Sequence, residues 1–223
     1  MNERGKMMMR AAIQLEHEFE KKRKTQNYRN LNEHARKGAI LFTGSSLMEQ
    51  FPVCELCAST GITETVYNRG IGGFTTDEFL EHIHIQLLDL EPSKVFINIG
   101  TNDLNDDSIP VYERLSKLRA NLGKIFDHAK ASLPATEFFV MAYYPVREKY
   151  TGNDKLPEKD FASRTNALID KANEMLAGLA ADYGYQFINA DEDGQLKKEY
   201  THDGVHLYAN AYRVVFENIK GLI

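Results

Sequence analysis

The sequence predicts an α/β fold in which a parallel five-stranded sheet is covered by helices on both faces. The first observation behind this is that short runs rich in Val, Ile and Phe alternate with longer segments whose apolar residues recur every three or four positions. The second is the length, because 223 residues fit one large domain or a domain with an extension. The third is the composition, 43% hydrophobic and 26% charged, which is typical of a globular protein with a sizeable core.

Residues 1–36 are predicted to form an N-terminal helical extension that precedes a domain over residues 37–223. Its apolar residues recur at helical spacing, at Met8, Ala11, Ala12, Leu15 and Phe19. We expect this stripe to pack on its own domain. The alternative is contact with a membrane or with a second copy of the chain, which would make a homodimer through the N-terminal helix.

The five strands are expected at residues 39–43, 64–68, 94–99, 136–142 and 185–189. Amphipathic helical patterns separate or follow them, and three of these begin at Val111, Phe161 and Tyr208. Residues 145–160 form one long irregular stretch, which is a candidate flap over a site.

Polar and glycine-rich clusters follow three of the predicted strands, and a fourth cluster precedes the last helix. Their sequences are TGSSL (43–47), NRGIGGFTT (68–76), GTND (100–103) and DGVH (203–206). Because ligands of parallel sheets bind beyond the carboxyl ends of the strands, we expect the four clusters to converge at one edge of the sheet.

These clusters contain the groups that acyl transfer requires, namely a nucleophile, a base, an orienting group for the base and donors for an oxyanion. Asp203 stands three residues before His206 and can bend round to its Nδ1–H, which leaves Nε2 free to take a proton from a serine. The Gly72-Gly73 pair can present backbone N–H groups to a ligand, and Asn102 carries an amide donor. Each residue alone has a structural explanation, such as a cap or a turn, but their joint occurrence favours a catalytic site.

The four blocks resemble those of the SGNH hydrolase superfamily, also called GDSL-like lipases and acylhydrolases, over about residues 43 to 206. They are most similar to the branch of platelet-activating-factor acetylhydrolase and of bacterial esterases linked to sialic-acid metabolism. The resemblance implies a flavodoxin-like, three-layer α/β/α fold and a serine esterase that needs no metal or other cofactor. It implies Ser46 as the nucleophile, His206 as the base oriented by Asp203, and an oxyanion hole made of the Ser46 N–H, the Gly73 N–H and the Asn102 side chain.

The first block departs from the family pattern. The family motif is Gly-Asp-Ser-Leu, and this chain has Gly44-Ser45-Ser46-Leu47, so that Ser45 replaces the aspartate. The register assigns the nucleophile to Ser46, and Ser45 is the alternative. Because the aspartate is a structural neighbour of the site in the family, we expect activity to survive the replacement.

The expected substrate is a small-molecule ester with a small acyl group, first of all an acetyl group. Phe74, Tyr143 and Tyr144 follow strand ends, and they either line the acyl or alcohol pocket or pack in the core. The alternatives are a lysophospholipase or thioesterase that acts on longer chains, a catalytically silent domain that binds acylated glycans, and a metal-dependent hydrolase. The last of these would use His202, His206 and Asp103 as ligands.

Charge and hydropathy exclude other classes of function. The net charge of −5 argues against nucleic-acid binding. No apolar run approaches the roughly 20 residues of a spanning helix, so no membrane partner is expected. Charges interrupt the N-terminal segment, so it does not resemble a signal peptide, and a cytoplasmic location is expected. Cys54 and Cys57 are expected to be ordinary reduced thiols rather than a redox pair or half of a zinc site.

Overall fold

The computed structural model describes residues 3–148, 163–190 and 194–223. Its strands are β1 (Ile40–Gly44), β2 (Val66–Asn68), β3 (Lys94–Asn98), β4 (Glu137–Met141) and β5 (Gln186–Ile188). Its α-helices are α1 (Glu3–Asn32), α2 (Ser46–Glu49), α3 (Val53–Thr60), α4 (Thr76–Glu81), α5 (Ile83–Gln86), α6 (Val111–Ser132), α7 (Asn166–Tyr183) and α8 (Ala209–Ile219). None of these helices combines the length and the hydrophobicity needed to cross a membrane.

The five strands form one parallel sheet in the order β2-β1-β3-β4-β5, which confirms the predicted fold class. The chain moves outward from β1 to β2 and then returns to place β3 on the other side of β1. This reversal opens a crevice at the carboxyl ends of β1 and β3, the usual ligand position in a sheet of this order.

The core lies on both faces of the sheet, as expected for parallel strands covered by helices. On one face a ladder of phenylalanines crosses three neighbouring strands, because Phe42 pairs in register with Phe96 and Phe96 with Phe139. The ring centroids are 4.5 Å and 4.6 Å apart, and both pairs are stacked. Each such pair contributes about 0.5–1.5 kcal/mol beyond the burial of its area, so the ladder fixes the register of the strands that lead to the crevice.

Two predicted helices begin where the pattern places them or close to it. Val111 is the first residue of α6, and α8 begins at Ala209, directly after Tyr208. The third predicted helix is α7, which begins at Asn166 with Thr165 as its N-cap. Phe161, where the apolar pattern starts, lies outside the described residues.

The expectation that the apolar stripe of α1 packs on its own domain is wrong. The side chains of Met8, Leu15 and Phe19 are 63%, 71% and 65% exposed. The contacts of α1 with the domain lie instead in its C-terminal half, where Asn32 Nδ2 donates to the Ile85 carbonyl over 2.8 Å. The boundary at residue 36 and a homodimer through this helix stay predictions.

The two cysteines are free thiols, with Cys54 exposed and Cys57 buried. Burial raises the pKa of the Cys57 thiol to about 11, and this disfavours the reactive thiolate at neutral pH. Both features agree with ordinary reduced cysteines.

Candidate active site

A sharp turn at the end of β1 carries the two serines. Gly44 has φ +144°, and a Cβ at this position would lie 1.9 Å from the carbonyl oxygen of Asn98 in β3. Only glycine fits there, so the chain can leave the sheet at once and start α2 at Ser46. Ser45 is the N-cap residue of α2, but its side chain makes no capping bond and its fully buried Oγ has no partner among the described residues.

Ser46, His206 and Asp203 form a continuous line of hydrogen bonds. Ser46 Oγ lies 2.9 Å from His206 Nε2, and His206 Nδ1 lies 2.7 Å from Asp203 Oδ2. The other carboxylate oxygen of Asp203 accepts the backbone N–H groups of Val205 and His206 over 3.0 Å and 2.8 Å. The turn from 203 to 206 therefore holds its own carboxylate in place against the imidazole.

Asp203 is held in its charged form by these contacts. Burial by itself would raise the pKa of the Asp203 carboxyl, but the hydrogen bonds from the His206 ring and backbone outweigh burial and keep that pKa well below its usual range. A charged Asp203 fixes the proton of neutral His206 on Nδ1, which leaves Nε2 able to accept the proton of Ser46.

The loop after β2 lies directly beside Ser46. A Cβ built on Gly72 would lie 3.6 Å from Ser46 Cβ, and Gly73 adopts φ +78°, which favours glycine. In the described part of the chain, neither the Ser46 N–H nor the Gly73 N–H donates to an acceptor. Two backbone donors are thus available near the hydroxyl.

Asn102 is held from two sides at the end of β3. Its Nδ2 donates one N–H to the Phe74 carbonyl over 2.8 Å, and the second N–H of the amide remains available for a ligand. Its Oδ1 accepts from Arg164 Nη2 over 3.3 Å. Arg164 also donates from Nε to Asn105 Oδ1 over 3.0 Å and is only 3% exposed. Burial lowers the pKa of this guanidinium to about 10, which still leaves it charged at neutral pH.

Sequence reasoning missed Arg164, and it also missed the structural role of Asp103, the neighbour of Asn102. The Asp103 carboxylate accepts both the backbone N–H and the hydroxyl of Thr76, so it ties the end of β3 to the start of α4. The GTND motif contains Asp103 and could have indicated this role. No local pattern marks Arg164, because its partners are about 60 residues away in the chain.

The three aromatic residues expected near a pocket are buried. Phe74 and Tyr143 are each 1% exposed, and the Tyr143 hydroxyl donates to the Ile99 carbonyl over 2.8 Å, so Tyr143 packs in the core. Phe74 packs against the core and also lines a cavity of about 230 Å³ between α1 and α4. Tyr144 is 5% exposed and lines a small cavity of about 40 Å³ together with Leu196 and Leu207.

The structure does not bring together the three ligands of the metal-dependent alternative. Ligand atoms of His202, Asp203 and His206 lie within 4.8 Å of one another, but Asp103 is bonded to Thr76 instead. Both ring nitrogens of His206 already contact Ser46 and Asp203, so a metal at this cluster would compete with those contacts.

The candidate flap over 145–160 is described only for residues 145–148. In this part, the Arg147 N–H donates to the Gly204 carbonyl over 2.8 Å, which places the start of the stretch beside the turn of Asp203. Residues 149–160 lie outside the described residues.

Comparisons with known proteins give consistent results. The model of the GDSL-like lipase/acylhydrolase family matches residues 51–214, beginning just after Ser46. A solved protein of Streptococcus pneumonia, described as a candidate platelet activating factor, is 31% identical, covers 97% of this chain and 98% of its own, and has a TM-score of 0.81. A GDSL-like lipase of Bacteroides thetaiotaomicron is 21% identical over 89% of this chain and 96% of its own, with a TM-score of 0.67, and shows the shared fold.

A curated relative also matches part of its length. N-acylneuraminate cytidylyltransferase of Escherichia coli O18:K1:H7 is 26% identical over 71% of this chain, and the chain spans about a third (35%) of that relative. From the family match and the full-length structural match, the chain belongs to the GDSL-like lipase/acylhydrolase (SGNH) family.

Proposed function

We propose that the protein is a serine esterase that cleaves small acyl esters through an acyl-enzyme on Ser46. The observation that carries this proposal is the line of hydrogen bonds from Ser46 Oγ through the His206 ring to the Asp203 carboxylate, at 2.9 Å and 2.7 Å. Both distances are within the range in which a base can take a proton from a hydroxyl nucleophile.

The reaction takes two steps. Ser46 Oγ attacks the ester carbonyl carbon while His206 Nε2 takes its proton, and Asp203 stabilises the imidazolium that forms. The tetrahedral intermediate collapses, the C–O bond to the alcohol breaks, and His206 returns the proton to the leaving alcohol. A water molecule, deprotonated by His206, then attacks the acyl-enzyme and releases the carboxylic acid and free Ser46.

The oxyanion is stabilised by three donors in this proposal. The Ser46 and Gly73 N–H groups have no other acceptor in the described part of the chain, and Asn102 retains one amide N–H after its bond to Phe74. Arg164 orients the amide through Asn102 Oδ1 and adds a buried positive charge nearby. Donors that are fixed in this way before the reaction stabilise the transition state without a cost of reorganisation.

The proposed substrate is a small-molecule ester with a short acyl chain, such as an O-acetylated sugar. Phe74 and Tyr143, which follow strand ends, are each only 1% exposed, and this favours a short acyl chain over a long one. Longer-chain lysophospholipid or thioester cleavage is the alternative.

The test compares p-nitrophenyl acetate, butyrate and octanoate as substrates for the wild type, Ser46→Ala and Ser45→Ala. We expect Ser46→Ala to lose several orders of magnitude in kcat, and Ser45→Ala to stay near the wild type because the Ser45 hydroxyl has no described partner. Rates that fall steeply beyond acetate support the short acyl chain, and rates that rise with chain length refute it. A wild type without hydrolysis of any ester would instead favour a binding domain.

A further inference from the structure

The C-terminal half of α1 lies against the loop that supplies Gly73. The Tyr28 hydroxyl donates to the Gly70 carbonyl over 3.0 Å, and Lys21 Nζ pairs with Glu78 Oε1 over 2.6 Å. A Cβ on Gly73 would lie 3.1 Å from Lys21 Cε, so this part of α1 is in direct contact with the loop.

Glu49 joins three elements at this place. It is the last residue of α2, the helix that begins with Ser46. One carboxylate oxygen pairs with Lys24 Nζ of α1, and the other accepts the backbone N–H of Gly72. The side chains of Lys24 and Glu49 are only 27% and 25% exposed, so the pair is partly shielded from water and from salt.

We propose that Lys24 and Glu49 are positioning residues for the oxyanion hole, which makes α1 part of the active site. This inference rests on the proposed function. The Glu49 carboxylate holds the Gly72 N–H and so fixes the peptide bond directly before the one that carries the Gly73 N–H, at the point where the loop lies next to Ser46. Lys24 in turn holds the carboxylate in the position that reaches Gly72.

Lys24 has a second effect through its charge. Gly72 lies between the Glu49 carboxylate and Ser46, since a Cβ there would lie 2.7 Å from Glu49 Oε2 and 3.6 Å from Ser46 Cβ. A negative charge this close to the nucleophile opposes the oxyanion that develops in the transition state. The Lys24 ammonium offsets this charge, so the carboxylate can hold the loop without weakening the reaction.

The experiment measures kcat and KM with p-nitrophenyl acetate for Lys24→Met, Glu49→Gln, the double variant and Lys24→Arg. We expect Lys24→Met to lower kcat about 10-fold with little change in KM, because oxyanion donors act mainly in the transition state. The double variant should regain part of the loss, since glutamine removes the uncompensated charge while its amide oxygen still accepts the Gly72 N–H. Lys24→Arg should retain most of the activity.

Arg23→Met is the matched control. Arg23 is the neighbour of Lys24 on the same helix, but in the described part of the chain its hydrogen bonds and its ion pair go to Glu20, one turn away on the exposed side. Its charge has only a minor electrostatic effect with Glu49, so its loss should lower kcat far less than the loss of Lys24. Hydrogen exchange of residues 70–76 gives a readout beside activity, and it should increase in Lys24→Met but not in Arg23→Met.

Three outcomes would overturn the inference. One is a kcat for Lys24→Met equal to that of Arg23→Met, while Ser46→Ala is inactive; the proposed function then stands without it. Another is a double variant whose loss equals the product of the single losses together with a lower Tm, which assigns the pair to general stability. The third is full activity in Ser46→Ala, which refutes the proposed function and this inference with it.

Discussion

Replacing Gly44 by alanine tests the idea that the turn after β1 exists to place Ser46. The new Cβ would lie 1.9 Å from the Asn98 carbonyl oxygen and 2.7 Å from its carbon, both of them backbone atoms of the neighbouring strand. Neither can rotate away, so the strands must separate. The bond from Ser45 N–H to the Asn98 carbonyl, 3.1 Å long, is then lost or stretched.

The expected cost is the sum of two effects. An L-residue at φ +144° costs about 1–3 kcal/mol in backbone strain. A buried backbone hydrogen bond left unmade costs about 1–3 kcal/mol more. Gly44→Ala should therefore lower the free energy of unfolding by about 2–6 kcal/mol, a large part of the stability of an ordinary domain.

Gly38→Ala is the control, because Gly38 also has a positive φ, +74°, but nothing lies within 4 Å of the position that a Cβ would take there. Strain alone should cost this variant about 1–2 kcal/mol. Urea unfolding of the two variants and the wild type, followed by circular dichroism, gives the comparison, and esterase rates of the folded fraction report the position of Ser46. If Gly44→Ala loses no more stability than Gly38→Ala, the close approach to Asn98 is not what requires glycine.

Three further variants test the site itself. Asn102→Ala should lower kcat by about 10²–10³ if its amide is a full oxyanion donor, and an unchanged kcat would remove it from the oxyanion hole. Arg164→Lys should also lower kcat, because a lysine cannot contact Asn102 and Asn105 with the same planar geometry, but by less than Asn102→Ala, because the amide itself remains. A change in KM alone would contradict this. Asp203→Asn should lose most of kcat. Since the pKa of Asp203 is depressed in the folded state, its contribution to stability is present above the unfolded pKa of about 3.9 and is lost as the pH falls further. The difference in Tm between this variant and the wild type should therefore narrow below about pH 4, and a constant difference would contradict the reasoning.

The sheet and the four blocks could be predicted because each depends on a local pattern. Strands β1 and β3 are buried on both faces, so they appear in the sequence as continuous apolar runs. β2 is shorter than predicted, Val66–Asn68 instead of 64–68, and its residues are only half-buried at the edge of the sheet. The polar blocks follow strand ends, and the topology of a parallel sheet brings such ends together.

The remaining features depend on contacts between distant parts of the chain. The helical period of α1 shows which face is apolar, but it carries no information about what covers that face, and Phe19 proved to be exposed. An aromatic residue after a strand, such as Tyr143, can equally face a pocket or the core, and only packing decides. The partners of Arg164 and of Lys24 are set by how loops and helices meet, which no periodic pattern records.

The separation of Ser46 and His206 by 160 residues has a consequence for the synthesis of the protein. All five strands have been translated once Ile188 is added, so the sheet can start to assemble while the ribosome is still extending the chain. His206 and Asp203, the proposed base and its carboxylate, are translated only afterwards, in the turn before α8. In the proposed mechanism, hydrolysis therefore requires the segment after β5 to have docked, and a nascent chain stalled before that segment would carry Ser46 without its proton acceptor.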